Sequence, residues 1–247
     1  MTQLQTKTTK LVGNAAKVGL KLNAKKCKAM KVNSRNDDRL KVESNEVEEV
    51  ESFTYLGANV TKDGGGTVDL KKRIGLAHMQ MKRLARIWNA SDISRKTKVS
   101  LFKSLVLSVL LYGCETWKLT QGEERKLDTF QTRCLRRIFK IRWQQHVSNE
   151  KVLELADAGT ISKEVRRRRW TWIGHIMRKG RDDDCVVALG WTPEGRRKRG
   201  RPKTTWRRMV ETERNNAGWK TWHDVRQAAA DRSNWRKDVQ ALCASWH

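Results

Sequence analysis

At 247 residues the chain can bury one sizeable core or be divided into two or three small modules. Its 53 Lys and Arg stand against 27 Asp and Glu, a formal charge of +26 that disfavours self-association and points to a polyanionic partner, by default a nucleic acid. The five cysteines, Cys27, Cys114, Cys134, Cys185 and Cys243, lie far apart with no CxxC pair, which argues against a zinc ribbon and a disulfide framework and predicts reduced, mostly buried thiols.

In chain order, Leu4, Leu11, Ala15 and Val18 recur at helical spacing over 3–18, and Gly19 follows as a stop. Partial alternation over 20–33 predicts a short strand around 27–32. After the polar, acidic stretch 34–51, Phe53, Tyr55, Leu56 and Val60 mark one further strand in ESFTYLGANVT, ended by a DGGG turn at 63–66. Phe53, Tyr55 and Leu56 are its expected structural side chains.

Helical periodicity takes over at Thr67, with segments near 67–89, 94–113 and 121–139. In the middle segment Val99, Phe102, Val106, Val109 and Leu110 share one face, widened by Leu101, Leu105 and Tyr112, so that helix is expected at the centre. Ser148 suits the cap of EKVLELA, and helices follow near 149–157, 160–179, 203–217 and 221–243, divided by a loop over 180–202. The expected fold is α+β and predominantly α-helical. Its expected parts are a small β-containing segment over 1–66, a three-helix unit over 67–146 and a basic, Trp-rich helical domain over 147–247.

The most apolar run, Leu105 to Tyr112, is far shorter than the ~20 residues that span a bilayer. Residues 1–30 hold no apolar core of signal-peptide length, and the basic segments lack the continuous apolar face of a membrane-surface helix. An intracellular protein, nuclear or cytoplasmic, with no membrane partner is expected.

Candidate contact residues concentrate between Lys163 and Arg214, where 17 Lys or Arg face 7 Asp or Glu. Arg166, Arg167, Arg168 and Arg169 point around most of a helix turn, so two can face one phosphate backbone while the others form ion pairs or face water. In GRRKRGRPKTTW the candidates are Arg196, Arg197, Lys198, Arg199, Arg201 and Lys203. The RGRP core resembles an AT-hook, in which glycine allows close approach to a narrow A·T minor groove. A sequence-independent phosphate contact, a basic linker into the helix carrying Trp206 and a nuclear-import signal remain open beside it. Eight of the eleven tryptophans lie after Arg169; most are expected as core anchors, with Trp191 the first candidate for base stacking. The five histidines have no partnered spacing. Asp37-Asp38 reads as a solvated turn and Asp182-Asp183-Asp184 as a helix amino terminus, so no metal ligands are expected.

KVGLKLNAKKCKAMKVN (17–33), ESFTYLGANVTKDG (51–64), LYGCETW (111–117), RRRRWTWIGHIMR (166–178) and GRRKRGRPKTTW (195–206) stand in an order that resembles the carboxy-terminal part of non-LTR, LINE-type retrotransposon reverse transcriptases, those carrying an endonuclease on the same chain. The resemblance covers almost the whole chain. It implies a palm remnant over 1–66, a thumb-like domain over 67–146 and a terminal basic region over 147–247, with RNA, RNA–DNA hybrid or DNA as partner. It also implies that the three metal-holding aspartates of the RNA-directed DNA polymerase lie upstream of residue 1. Magnesium is then expected for the parent enzyme and no cofactor for this chain. Met1 is expected to be an internal methionine of a longer frame.

The purified chain is therefore predicted to give no template-directed primer extension with magnesium or manganese. Extension that disappears on Asp37→Ala and Asp38→Ala substitution would overturn both this and the turn assigned to 34–39.

Overall fold

Helix α1 (Thr2–Lys17) ends where Gly19 takes φ 75, a left-handed conformation that costs glycine no Cβ clash. The computed structural model describes residues 2–31, 38–62, 67–191 and 205–244, which fall into two units, Met1–Asp69 and Leu70–His247. The fold is α+β and predominantly α-helical.

The first unit follows α1 with short paired strands. β1 (Lys28–Ala29) runs parallel to β4 (Glu48–Glu49); β2 (Lys41–Val42) and β3 (Asn45–Glu46) form an antiparallel pair, as do β5 (Ser52–Tyr55) and β6 (Ala58–Thr61). The Gln5 side-chain amide donates to the Lys41 carbonyl and accepts from the Lys41 amide, both at 2.9 Å, and so gives the β2 edge the partner it lacks. Ion pairs Lys28–Glu48, Lys31–Glu49, Arg39–Glu46 and Lys62–Glu51 brace the strands. Among this unit's described residues, only Val42 and Val47 are buried apolar side chains.

Two expectations change here. The strand predicted around 27–32 reduces, among the described residues, to β1. The single strand across 51–61 is a hairpin, with Leu56 at φ 47 and Gly57 at φ 81 making a two-residue left-handed turn of the kind that matches strand twist. Leu56 is 74% exposed and Tyr55 is also exposed, so Phe53 alone of the three is partly covered. The DGGG turn lies outside the described residues.

The second unit is helical: α2 (Thr67–Arg83, its first three residues in the first unit), α3 (Ala85–Asn89), α4 (Arg95–Leu101), a π-helical stretch (Phe102–Leu107), α5 (Ser108–Leu110), α6 (Gln121–Phe139), α7 (Asn149–Leu155), α8 (Ile161–Met177), α9 (Asp184–Gly190), α10 (Trp206–Asn216), α11 (Trp222–Ala230) and α12 (Arg232–Ala244). Local caps set many boundaries. Thr120 and Glu123 close a reciprocal capping box at α6, the Ser148 hydroxyl accepts from the Lys151 amide at α7, and the Asp183 carboxylate accepts from the Cys185 amide at α9. The helix expected over 221–243 breaks at Asp231, whose carboxylate accepts from the Ser233 and Asn234 amides and starts α12.

Val99, Phe102, Val106 and Leu110 are buried as expected of a central helix, whereas Leu105 and Tyr112 are exposed. One core runs from Leu70 to Val165 and a second from Trp170 to Cys243. The division expected at 146/147 falls inside the first core, because Val152, Ala156, Ile161 and Val165 pack with α2–α6. Helix α8 supplies both cores. Cys114, Cys134 and Cys243 are buried, and burial pushes the Cys114 and Cys134 thiols up to about 12; Cys185 is exposed.

Trp170, Trp219 and Trp235 anchor the second core, with Trp219 and Trp235 stacked at 5.0 Å. Gly174 makes room for them: an added Cβ would lie 2.1 Å from Trp235 Nε1. Gly174→Ala is therefore expected to destabilise by about 1–3 kcal/mol through overpacking, outweighing helix propensity. Gly75→Ala in α2 meets nothing within 4 Å and should stabilise by up to ~1 kcal/mol. Thermal melting of the two variants in opposite directions is the check.

Candidate nucleic-acid interface

The four consecutive arginines occupy two kinds of site on α8. Arg166 and Arg169 are each 2% exposed and point inward onto Glu213 of α10, itself 1% exposed. Arg166 Nε donates to Glu213 Oε1 at 3.2 Å, Arg169 Nη1 to the same oxygen at 2.6 Å, and Trp170 Nε1 to Glu213 Oε2 at 2.8 Å. Arg166 Nη2 also reaches Glu124 of α6 at 3.3 Å, and Arg169 Nη2 the Trp117 carbonyl at 3.2 Å. Two guanidiniums and two carboxylates thus balance inside the protein. Burial, opposed by Arg166, raises the Glu124 carboxyl above its ordinary range.

This corrects the expectation for Arg166 and Arg169: both are enclosed and committed to carboxylates, so neither presents a face to a phosphate. Arg167 and Arg168 lie toward solvent and share one carboxylate, Glu164, at 2.7–2.8 Å. Trp191, after α9, is 66% exposed, as a stacking candidate requires. Arg196, Arg197, Lys198, Arg199, Arg201 and Lys203 lie outside the described residues. Their flanks are fixed, because Arg207 Nη2 donates to the Leu189 carbonyl at 2.5 Å and Trp206 Nε1 to the Glu115 carbonyl at 2.8 Å.

A basic surface that the sequence reading did not single out lies on α6. With 3.6 residues per turn, Arg125, Lys126, Thr129, Arg133, Arg137 and Lys140 fall within about one third of the helix circumference and extend over ~22 Å. All six are exposed. The three acids of α6 lie off this face: Glu123 is buried in the capping box, Glu124 reaches Arg166, and Asp128 accepts from the Ser162 amide and hydroxyl at 2.9 and 2.8 Å. Arg125, Lys126, Arg133 and Arg137 have no ion pair among the described residues. Lys140 closes the helix at φ 58 and donates to the Asn89 carbonyl at 3.3 Å.

The signal that would have found this face is visible in retrospect. Between Asp128 and Glu150 the sequence has no acid and five Arg or Lys. Local charge density instead drew attention to Arg166–Arg169, where the compensating acids are remote in sequence.

Among the described residues no three His, Cys, Asp or Glu side chains converge as metal ligands, and no helix is long and apolar enough to cross a membrane. A groove of about 750 Å³ in the first unit mixes Lys21 and Lys25 with Glu43, Glu46 and Glu48. Two of those carboxylates are already paired, Glu46 with Arg39 and Glu48 with Lys28.

Residues 80–112 match a family model described as a domain of unknown function, DUF6451. The chain is also similar to an uncharacterized transposon-derived protein of Caenorhabditis elegans, 25% identical over 209 residues that cover 79% of this chain and 73% of the relative. No solved structure matches the chain.

Removing Glu213 would leave Arg166 and Arg169 buried without their shared anion. Glu213→Ala is expected to cost about 3–5 kcal/mol, the usual penalty for breaking a buried ion pair from one side. Chemical denaturation checks this, and a variant within 1 kcal/mol of the parent would show that water solvates the arginines.

Proposed function

We propose that the chain is a transposon-derived nucleic-acid-binding protein, equivalent to the carboxy-terminal part of a non-LTR reverse transcriptase without its catalytic aspartates, and that it grips the phosphate backbone with the outer face of α6. The row Arg125, Lys126, Arg133 and Arg137, without an ion pair among the described residues, carries this reading, because cations not committed to carboxylates are the ones left to displace counterions from a polyanion. The ordered motifs and the transposon-derived relative support the origin. Arg196, Arg197, Lys198, Arg199, Arg201 and Lys203, in the segment after α9, supply a second contact of the same kind, and the RGRP run leaves minor-groove recognition as a second reading.

Salt titration tests the assignment. Replacing Arg125, Lys126, Arg133 and Arg137 with Ala keeps helix propensity high and should lower the slope of log affinity against log salt by about 2 to 4, similarly for duplex DNA of any composition and for RNA–DNA hybrid. Replacing Arg196, Arg197, Lys198, Arg199, Arg201 and Lys203 should lower it by roughly 3 to 5. An unchanged slope in the α6 variant would remove that face from the interface. A loss confined to A·T-rich duplex in the loop variant would favour the minor-groove reading.

A further inference from the structure

The turn that follows α6 presents Trp143 at 79% exposure, more than any other large apolar side chain among the described residues. It is a built turn. Arg142 N donates to Gln145 Oε1 at 2.8 Å, His146 N to the Trp143 carbonyl at 3.2 Å, and His146 closes the turn at φ 47. Arg136 Nη2 holds the Val147 carbonyl at 2.6 Å and Asn149 Oδ1 at 3.0 Å, while Ile141 and Val147 pack on the first core. Both flanks of the indole are thus anchored, and the ring still faces solvent. Arg142 precedes it directly and Lys140 stands three positions before it, in the acid-free run that continues the α6 row.

An outward indole forfeits the burial that Trp88, Trp117, Trp170 and Trp235 obtain, so folding gives no reason to hold it there. Its neighbours narrow the occupant to one of opposite charge with an aromatic face. We propose, resting on the nucleic-acid-binding reading above, that Trp143 stacks on an unpaired base, so that the chain engages single-stranded nucleic acid at the end of the phosphate track along α6. A base paired within a duplex has both faces covered; an unpaired one can lie on the indole while Lys140 and Arg142 neutralise its phosphates.

The test uses the full chain, a short DNA single strand carrying 2-aminopurine and its fully paired duplex. Trp143→Ala should weaken single-strand binding by roughly 10- to 100-fold while leaving duplex affinity and the salt slope within about twofold of the parent, since stacking is a sequence-tolerant, non-ionic contribution. Quenching of 2-aminopurine seen with the parent should vanish. Trp143→Phe should retain much of the affinity and Trp143→Leu should behave as Ala, which separates ring stacking from bulk. Thermal melting should not change, because the side chain is exposed. Equal effects on both strands, or none on either, overturn the stacking role while leaving the phosphate track standing. Failure of the parent chain to bind either probe overturns both.

Discussion

Glu213 is the anion on which the second unit's assembly depends. Its two oxygens receive Arg166, Arg169 and Trp170 from α8, tying α10 to a helix that supplies buried residues to both cores. A chain with nearly twice as many cations as anions holds its buried cations on the few groups that reach them: Lys98 lies on the Trp88 and Ala90 carbonyls, and the buried arginines of α8 on acids. Glu213 and Glu124 meet Arg166 and Arg169, Asp128 binds the start of α8, and Glu123 caps α6. The acids of α6 and Glu213 of α10 are thus drawn inward by folding. The excess positive charge remains outside, where α6 carries it unneutralised.

The same constraint explains what could be read from the sequence. Signals that act within four residues were legible: Gly19 ended α1, Ser148 opened α7, Asp183 opened α9, and α6 spans 121–139 as its period indicated. The overall class, helical with a little strand, follows from those signals. Misreadings occurred where the deciding partner was remote or the turn residue unusual. Arg166 and Arg169 pair with a glutamate 47 and 44 positions away, beyond the reach of any local pattern. The hairpin at 52–61 turns on Leu56, a residue that rarely adopts positive φ, so the run read as one strand.

Tryptophan placement separates along the same line. Indoles spaced along α8, α10, α11 and α12 substitute for scarce Leu and Ile in the second core, as the periodicity indicated. Trp143 belongs to no such period and lies in a turn set by backbone hydrogen bonds, so its exposure emerges only from the fold.

Charge geometry also bears on what such a surface can discriminate. The α6 face offers Arg and Lys with Thr129 and no Asn or Gln, the amides that read adenine edges in a groove. In the adjoining turn Gln144 and Gln145 are both exposed beside Trp143, and Gln145 uses its side-chain oxygen on the Arg142 amide. Phosphate contacts set register without carrying sequence, and stacking accepts any base. On the proposed reading, selection on this surface would act on strand state more than on sequence: a duplex would engage the cation row alone, whereas a junction with an unpaired end would engage row and indole together.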